Sequence, residues 1–546
     1  MALSSADSQR EQREPDVDEA PGSTEGPALE PPAAPSSGSR SAVWPADRLR
    51  KLTAVAGRLA GRAAYCPAVW LCLLAALFYS FLAVQRVDQH VAGSYDYGVI
   101  FQVVHGWAFH FYPGEPLQGP TQNEWDDHFA PILMLLAPLL RIRDTPAVLG
   151  VAQAFLICSA GIPIFYAVRR MQGATFATIA VVFYLTSVEV QGAIGFDIHE
   201  NMFQPLLIAL AIERALAGKW TAATIFVGLN LFSYEDVGIM AVLFGLWAAR
   251  HRKWRHAAVL CVVGPLVVVL FTTVIVPEWG RDVANYQLRH FDYAKTLHAS
   301  SAGQAFKSMV EHPVHLVRLM VDNAVKRQTW FLLLAPVGFL CLLSPISLLG
   351  SSTIVLLMAS GNTTHWSTNY HFYVQMAPII IIGAADGLNR LGRIIRRLWQ
   401  WYSRRAKRGL PERLEVLGRP PAWRATAVVL AFLSLAYTLH LQTAPKVKPN
   451  LAAWVYVDRG YRRPASTVAA INRLAALVPP DQDVYVTNDI GTVLVAEDTE
   501  EIDPVYAKYV LFDTGSTWTP KNFAQTLDKQ GFHQTASDGD VFLYAR

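Results

Sequence analysis

Four apolar stretches, residues 67–84, 147–168, 257–276 and 425–439, most limit what this chain can fold into. They approach the roughly 20 residues that a helix needs to cross a bilayer. A helix satisfies its own backbone hydrogen bonds, as a hydrocarbon environment requires. Of the 546 residues, 52% are hydrophobic and 16% are charged, a balance that disfavours a purely soluble enzyme. The pattern is that of a polytopic α-helical membrane protein.

Charge placement orients the crossings. Residues 1–46 are rich in Pro, Gly, Ser and acids and read as a disordered cytoplasmic tail. Arg48, Arg50, Lys51, Arg58 and Arg62 precede the first apolar stretch. The positive-inside rule puts that flank in the cytoplasm, together with the basic turn at 251–256 and the nine basic residues of 390–413. Crossings are expected near 67–84, 147–168, 174–190, 200–216, 220–234, 237–249, 257–276, 329–343, 345–360, 372–388 and 422–440. These eleven leave the transmembrane domain at 47–442 and put the C terminus outside. Residues 129–140 are apolar but short; as a full crossing they would invert everything after them, and as a re-entrant segment they would not. Long extracytoplasmic loops are expected at 85–128 and 277–328, and a separate small extracytoplasmic domain at 443–546, with strands at 484–487, 509–512 and 541–544.

Other partners are less well supported. The 47 basic and 43 acidic residues nearly cancel, and no nucleic-acid partner is expected. The five cysteines sit in or beside apolar segments, with no metal-ligand spacing or disulfide framework. Walker, Rossmann, HExxH and GxSxG signatures are absent in suitable contexts, so no nucleotide cofactor is expected.

Polar residues cluster where the crossings emerge. The first loop carries Ser94-Tyr95-Asp96-Tyr97-Gly98, then Gln102, His105 and Trp107, and ends in Glu124-Trp125-Asp126-Asp127-His128. Such aromatics anchor an interface or wall a sugar site, and such carboxylates accept a proton or bind a divalent ion. In Gly195-Phe196-Asp197-Ile198-His199-Glu200-Asn201, a helical turn would bring Asp197 and Glu200 to one face, to hold a metal or orient a hydroxyl. The alternative is a helix start capped by Asp197. Glu235 and Asp236 form a third acidic site, where capping again competes with a functional cleft. Arg281, Arg289 and His290 suit a phosphate, and His365, Asn369, Tyr370 and His371 suit a polar ligand beside lipid.

The stretches YDYGVIFQVVHGWA from Tyr95, DDHFAPILMLLAPL from Asp126, GFDIHENMFQPLLIALA from Gly195, YEDVGIMAVLFGL from Tyr234 and NYHFYVQMAPIIIIGAADG from Asn369 resemble the DUF2079 family of bacterial and archaeal membrane proteins. The resemblance extends weakly through VYVTNDIG and YVLFD. That family is in turn similar to the GT-C superfamily of membrane glycosyltransferases. The resemblance implies a GT-C-like helical bundle with a small C-terminal extracytoplasmic α/β domain in a plasma membrane. It implies transfer of a sugar from a polyprenyl-phosphate donor to a glycan or lipid acceptor, with membrane lipid as the surroundings. Asp96 falls on the acidic residue near the reaction centre, with Asp197, His199, Glu235 and Asp236 in support. Tyr95, Gln102, His128, Arg281, Arg289, His290, His365, Asn369, Tyr370 and His371 are candidates for binding substrate or phosphate. Mg or Mn at Asp96, Asp197 and Glu200 is the metal arrangement considered. A lipid or glycan transporter and a noncatalytic envelope assembly protein are the competing readings.

Overall fold

Residues 66–119, 122–280, 296–299, 302–405, 451–457, 459–480, 482–494 and 507–546 are described by a computed structural model. The expected tail at 1–46, the crossing at 422–440, and Arg281, Arg289 and His290 lie outside the described residues.

Among the described residues, five helices are long and apolar enough to cross a membrane: Pro67–Asp88, Pro146–Gln172, Ala174–Gly195, Trp254–Trp279 and His371–Tyr402. The first starts at a proline in its opening turn, where the missing N–H costs nothing. Trp70, Leu74 and Leu77 on its surface are exposed, and so are Val262, Leu266 and Val269 of Trp254–Trp279. Exposed side chains of this kind on helices of this length have lipid as their solvent. The apolar window of His371–Tyr402 is 78% buried, whereas Ile394, Leu398 and Trp401 toward its end are exposed. The helices at 204–216, 220–230 and 237–250 complete the hydrophobic core around it.

Ends of the long helices meet one another through the segments that join them. Arg86, in the last turn of the first span, bonds Gly195 and Asp197 at the end of the third. The Tyr97 hydroxyl donates to Pro146 O at the start of the second span (2.9 Å), and Asn123 Nδ2 donates to Trp279 O at the end of the fourth (3.0 Å).

The ambiguous apolar stretch forms the short helices Pro131–Leu136 and Ala137–Ile142. Phe129 N donates to Glu235 Oε2 (3.1 Å) just before it, and Arg141 Nε donates to Ala108 O (2.6 Å) near its end. Both of its flanks are therefore held by neighbouring segments, and neither short helix has the length of a crossing. The expected crossing at 329–343 is broken instead. Helix Ala324–Leu334 gives way to Ala335–Val337, followed by Gly338 and Phe339 in left-handed conformation and then by Leu340–Leu343. Pro336 cannot donate to the helical ladder, so the run of hydrophobicity does not become a run of helix.

The C-terminal domain is α/β. Strands β1 (Val484–Val486), β2 (Tyr509–Asp513), β3 (His533–Asp538) and β4 (Val541–Ala545) form one sheet in the order β1-β2-β4-β3. The β1-β2 pair is parallel, and β4 is antiparallel to both of its neighbours. Ile471 and Leu474 of helix Ala465–Ala475 pack on one face, while Phe523 and Leu527 of helix Phe523–Lys529 pack on the other. Strand β3 escapes the sequence because its residues are polar and mostly exposed at the sheet edge, so no buried alternation marks it.

Candidate active site

Asp96 lies in a π-turn, Ser94–Gly98, that leads into the helix Val99–Phe109. Its side chain keeps 32% of its surface open. His199 Nε2 stands 3.5 Å from Asp96 Oδ1, and His199 Nδ1 stands 3.6 Å from Glu200 Oε2. One imidazole thus faces a carboxylate at each ring nitrogen, at the outer limit of hydrogen bonding. The His371 ring stacks on it at a centroid distance of 3.4 Å, and Phe196 lies parallel at 5.8 Å. Tyr370 meets Phe196 edge-on at 4.9 Å. Asn201 Nδ2 donates to His371 O (3.1 Å), which fixes the backbone beneath this stack.

A second histidine works in parallel. His128 Nδ1 lies 3.3 Å from Glu235 Oε1, and His128 Nε2 lies 3.3 Å from the Tyr234 hydroxyl and 3.9 Å from Asp127 Oδ1. Asp236 lines an adjoining recess of about 60 Å³ with Asn201, Tyr234, His371 and Gln375. Trp107, Trp125 and Phe129 form a row of rings alongside, with centroid spacings of 6.4 and 6.1 Å.

Electrostatics join the two histidine centres. Burial pushes the Asp96 carboxyl up to about 6, against the pull of His199. Burial favours neutral His199, but Glu200, Asp96 and Asp197 outweigh it and raise its pKa. Burial likewise opposes His128, yet Asp127, Glu235 and Glu200 hold it well above the usual histidine range. Burial would raise Glu200, but His128 and His199 together keep it below the ordinary carboxylate value. Asp236 is driven up to about 7 by burial and by Glu235. Glu124 is 2% exposed, and the Trp107 side chain and the Ala130 backbone give its carboxyl only weak support against burial. Burial and the nearby Glu200 push it up to about 8, so the neutral acid predominates at pH 7.

These residues come from segments scattered between 96 and 371, and the family model described as "Predicted membrane protein (DUF2079)" matches residues 86–515. The chain belongs to the DUF2079 family. No curated protein matches the sequence. Solved structures similar to this DUF2079 chain include ArnT from Cupriavidus metallidurans bound to undecaprenyl phosphate, at 13% identity and a TM-score of 0.48, covering 87% of this chain and 97% of that one. The apo state of the same protein gives 14% identity and a TM-score of 0.46, with the same coverage. The apo oligosaccharyltransferase of Archaeoglobus fulgidus gives 11% identity and a TM-score of 0.36, covering 82% of this chain and 69% of that one.

Among the residues singled out in this DUF2079 sequence, Asp96, His128, His199, Glu200, Glu235, Asp236, Tyr370 and His371 come together. Asp197 acts on His199 only through its charge, because its oxygens are committed to other partners. The segment between Gly195 and Glu200 is extended rather than helical, so Asp197 and Glu200 do not share a face. Asp197 pairs with buried Arg86 and accepts from Gly93 N at 3.0 Å. Nor does it cap the helix that follows it; the cap position before Glu200–Phe203 belongs to His199. Asp96 and Glu200 approach opposite nitrogens of one ring. Among the described residues no three His, Cys, Asp or Glu side chains group in a way that could hold a metal. The trio Asp96, Asp197 and Glu200 therefore does not fit a shared ion as arranged.

Gln102 serves the loop, with its Oε1 accepting from Leu117 N (2.9 Å). Tyr95 is 43% exposed. His365 Nδ1 is 2.7 Å from Ser360 Oγ, and Asn369 N donates to Ser367 Oγ (3.2 Å), so both organise the loop before His371. Arg86 carries no expectation from the sequence, although an arginine in the last turn of an apolar span is a signal that a buried partner exists.

Proposed function

We propose that this protein is a GT-C-type glycosyltransferase that moves a sugar from a polyprenyl-phosphate donor to an extracytoplasmic glycan or lipid acceptor. The N terminus is cytoplasmic and the C terminus extracytoplasmic in this reading, in a bacterial or archaeal plasma membrane. Membership of the DUF2079 family and the motif resemblance of that family to the GT-C superfamily support it. The observation that carries it is the meeting of Asp96 with His199 at 3.5 Å, beside the carboxylate of Glu200.

Asp96 takes the proton of an acceptor hydroxyl as that oxygen attacks the anomeric carbon. The bond between that carbon and the phosphate oxygen breaks, and the polyprenyl phosphate leaves with the electron pair. Protonated His199 stabilises the carboxylate form of Asp96, and Glu200 at its other nitrogen keeps the imidazolium charged. Protonated His128, held by Glu235, supplies positive charge toward developing anionic oxygens. Arg281, Arg289 and His290 are assigned from sequence to the leaving phosphate. No step is routed through a metal, and dependence on Mg or Mn is read by assaying with a chelator and then restoring each ion.

The deciding assay offers the purified protein polyprenyl-phosphate sugars with envelope glycans and lipids, and detects product by mass. Transfer that is present in wild type and lost in D96N is the expected result. Absence of transfer across the donor panel, or transfer unchanged by D96N, overturns the reading. Substrate movement across vesicles without a covalent product would favour a transporter.

A further inference from the structure

The turn that carries Asp96 opens a helix without a cap of its own. The first N–H groups of a helix have no partner within it. The residue at the cap position of Ser94–Gly98 is Gly93, which has no side chain to accept from them. Two residues distant in sequence take over. Asp197 Oδ2 accepts from Gly93 N at 3.0 Å, and Asn488 Oδ1 accepts from Tyr95 N at 2.9 Å. The Ser94 hydroxyl donates to the Asn488 carbonyl at 3.3 Å.

The fit around this contact is close. A Cβ at Gly93 would lie 2.7 Å from Asp197 Oδ2 and 3.0 Å from Asn488 Oδ1. A Cβ at Gly491 would collide with the Cβ of Ser94. Asn488 is itself held in place. Arg463 donates to Asp489 Oδ2 (2.8 Å), to Asp489 O (3.2 Å) and to Asp513 Oδ2 (3.0 Å), which ties the turn after β1 to the end of β2. The backbone N of Arg463 donates to Gln89 Oε1 at 3.2 Å, just past the end of the first span. The C-terminal domain is thus anchored to the same short stretch of chain from which Asp96 projects.

We infer that Asn488 is a positioning residue, which caps the Asp96-bearing helix from the C-terminal domain and so sets the Asp96 carboxylate toward His199. It acts through the backbone of Tyr95, one residue before Asp96. The consequence for rate rests on the proposed transfer reaction, whereas the cap itself does not. The C-terminal domain then completes the site. A side-chain oxygen at a helix start also suits the positive end of the helix dipole, so aspartate at this position retains the acceptor and alanine removes it.

The test uses the full chain in lipid nanodiscs, as wild type, N488A and N488D, with hydrogen exchange read by mass spectrometry. Loss of a cap of ordinary strength corresponds to about a tenfold rise in local opening. N488A is expected to speed exchange in peptides covering 93–99 by about that factor, with protection of β2 and β4 unchanged, while N488D stays within about threefold of wild type. In the transfer assay kcat falls in N488A with the KM for donor held, and N488A adds no further loss in a D96N background. Unchanged exchange at 93–99, or loss of protection throughout the C-terminal domain, overturns the inference. So does faster exchange at 93–99 with full kcat in an active wild type. Altered exchange with no transfer by any form leaves the cap standing and refutes the glycosyltransferase reading instead.

Discussion

Asp197 and Asp96 lie at the same end of the bundle, and Gly93 is near both, yet they are committed to different tasks by the cations they meet. Asp197 faces Arg86, which is always charged, is buried, and lies 5.3 Å from the Tyr461 ring centroid. Asp96 faces His199, whose charge depends on pH. A carboxylate fixed to arginine cannot change its state without leaving a buried charge alone, so it suits architecture. A carboxylate poised against histidine can exchange protons near neutrality, which suits chemistry. The same division recurs away from the site, where arginines hold Glu213, Asp489 and Asp513.

Stability depends most on the Asp197–Arg86 pair. Asp197→Asn or Arg86→Met strips one partner from a buried pair, and should cost about 3–5 kcal/mol of stability. Thermal melting in detergent reads this, and a variant that melts like wild type would show that Asp197 is not structural. Next comes Asp96→Asn, which should lower transfer at least about 100-fold while leaving the melting temperature unchanged. A fall in stability equal to that of Asp197→Asn would erase the distinction between the two acids.

The pH dependence of transfer separates the two acids further. Transfer should rise with pH as Asp96 ionises around the value of about 6 set by burial. Removing the His199 charge in His199→Gln removes a stabiliser of the carboxylate form, so the rising limb should move to higher pH. A limb that stays in place or moves downward would separate Asp96 from His199. The smallest effect is expected for Glu124→Gln. Glu124 is largely neutral at pH 7, with a pKa of about 8, so the amide changes shape and charge little. Stability within about 0.5 kcal/mol and activity within a few-fold are expected. A large loss of activity with stability intact would assign Glu124 to the chemistry.

Much of this was legible in the chain because helices and motifs are local. Expected crossings overlap all five of the long helices among the described residues, and the acids and histidines that come together stand in short polar stretches between apolar segments. Residues 329–343 misled because hydrophobicity reports burial or lipid, whereas the helix is decided by Pro336 and the left-handed pair after it. Asp197 misled because three-residue spacing brings side chains together only in a helix, and the backbone there is extended. Strand β3 was hidden because an edge strand of polar residues has no buried face to leave a pattern.

What the sequence determined by itself is a membrane-spanning helical chain with its acids at the helix ends, because bilayer thickness and helix periodicity act over 20 or so neighbouring residues. Which acid meets an arginine and which a histidine was decided only in three dimensions. Arg86 and Asp197 lie 111 positions apart, and Tyr95 and Asn488 lie 393 apart. Contacts across such distances depend on how whole helices and the C-terminal domain pack, and no local pattern encodes that.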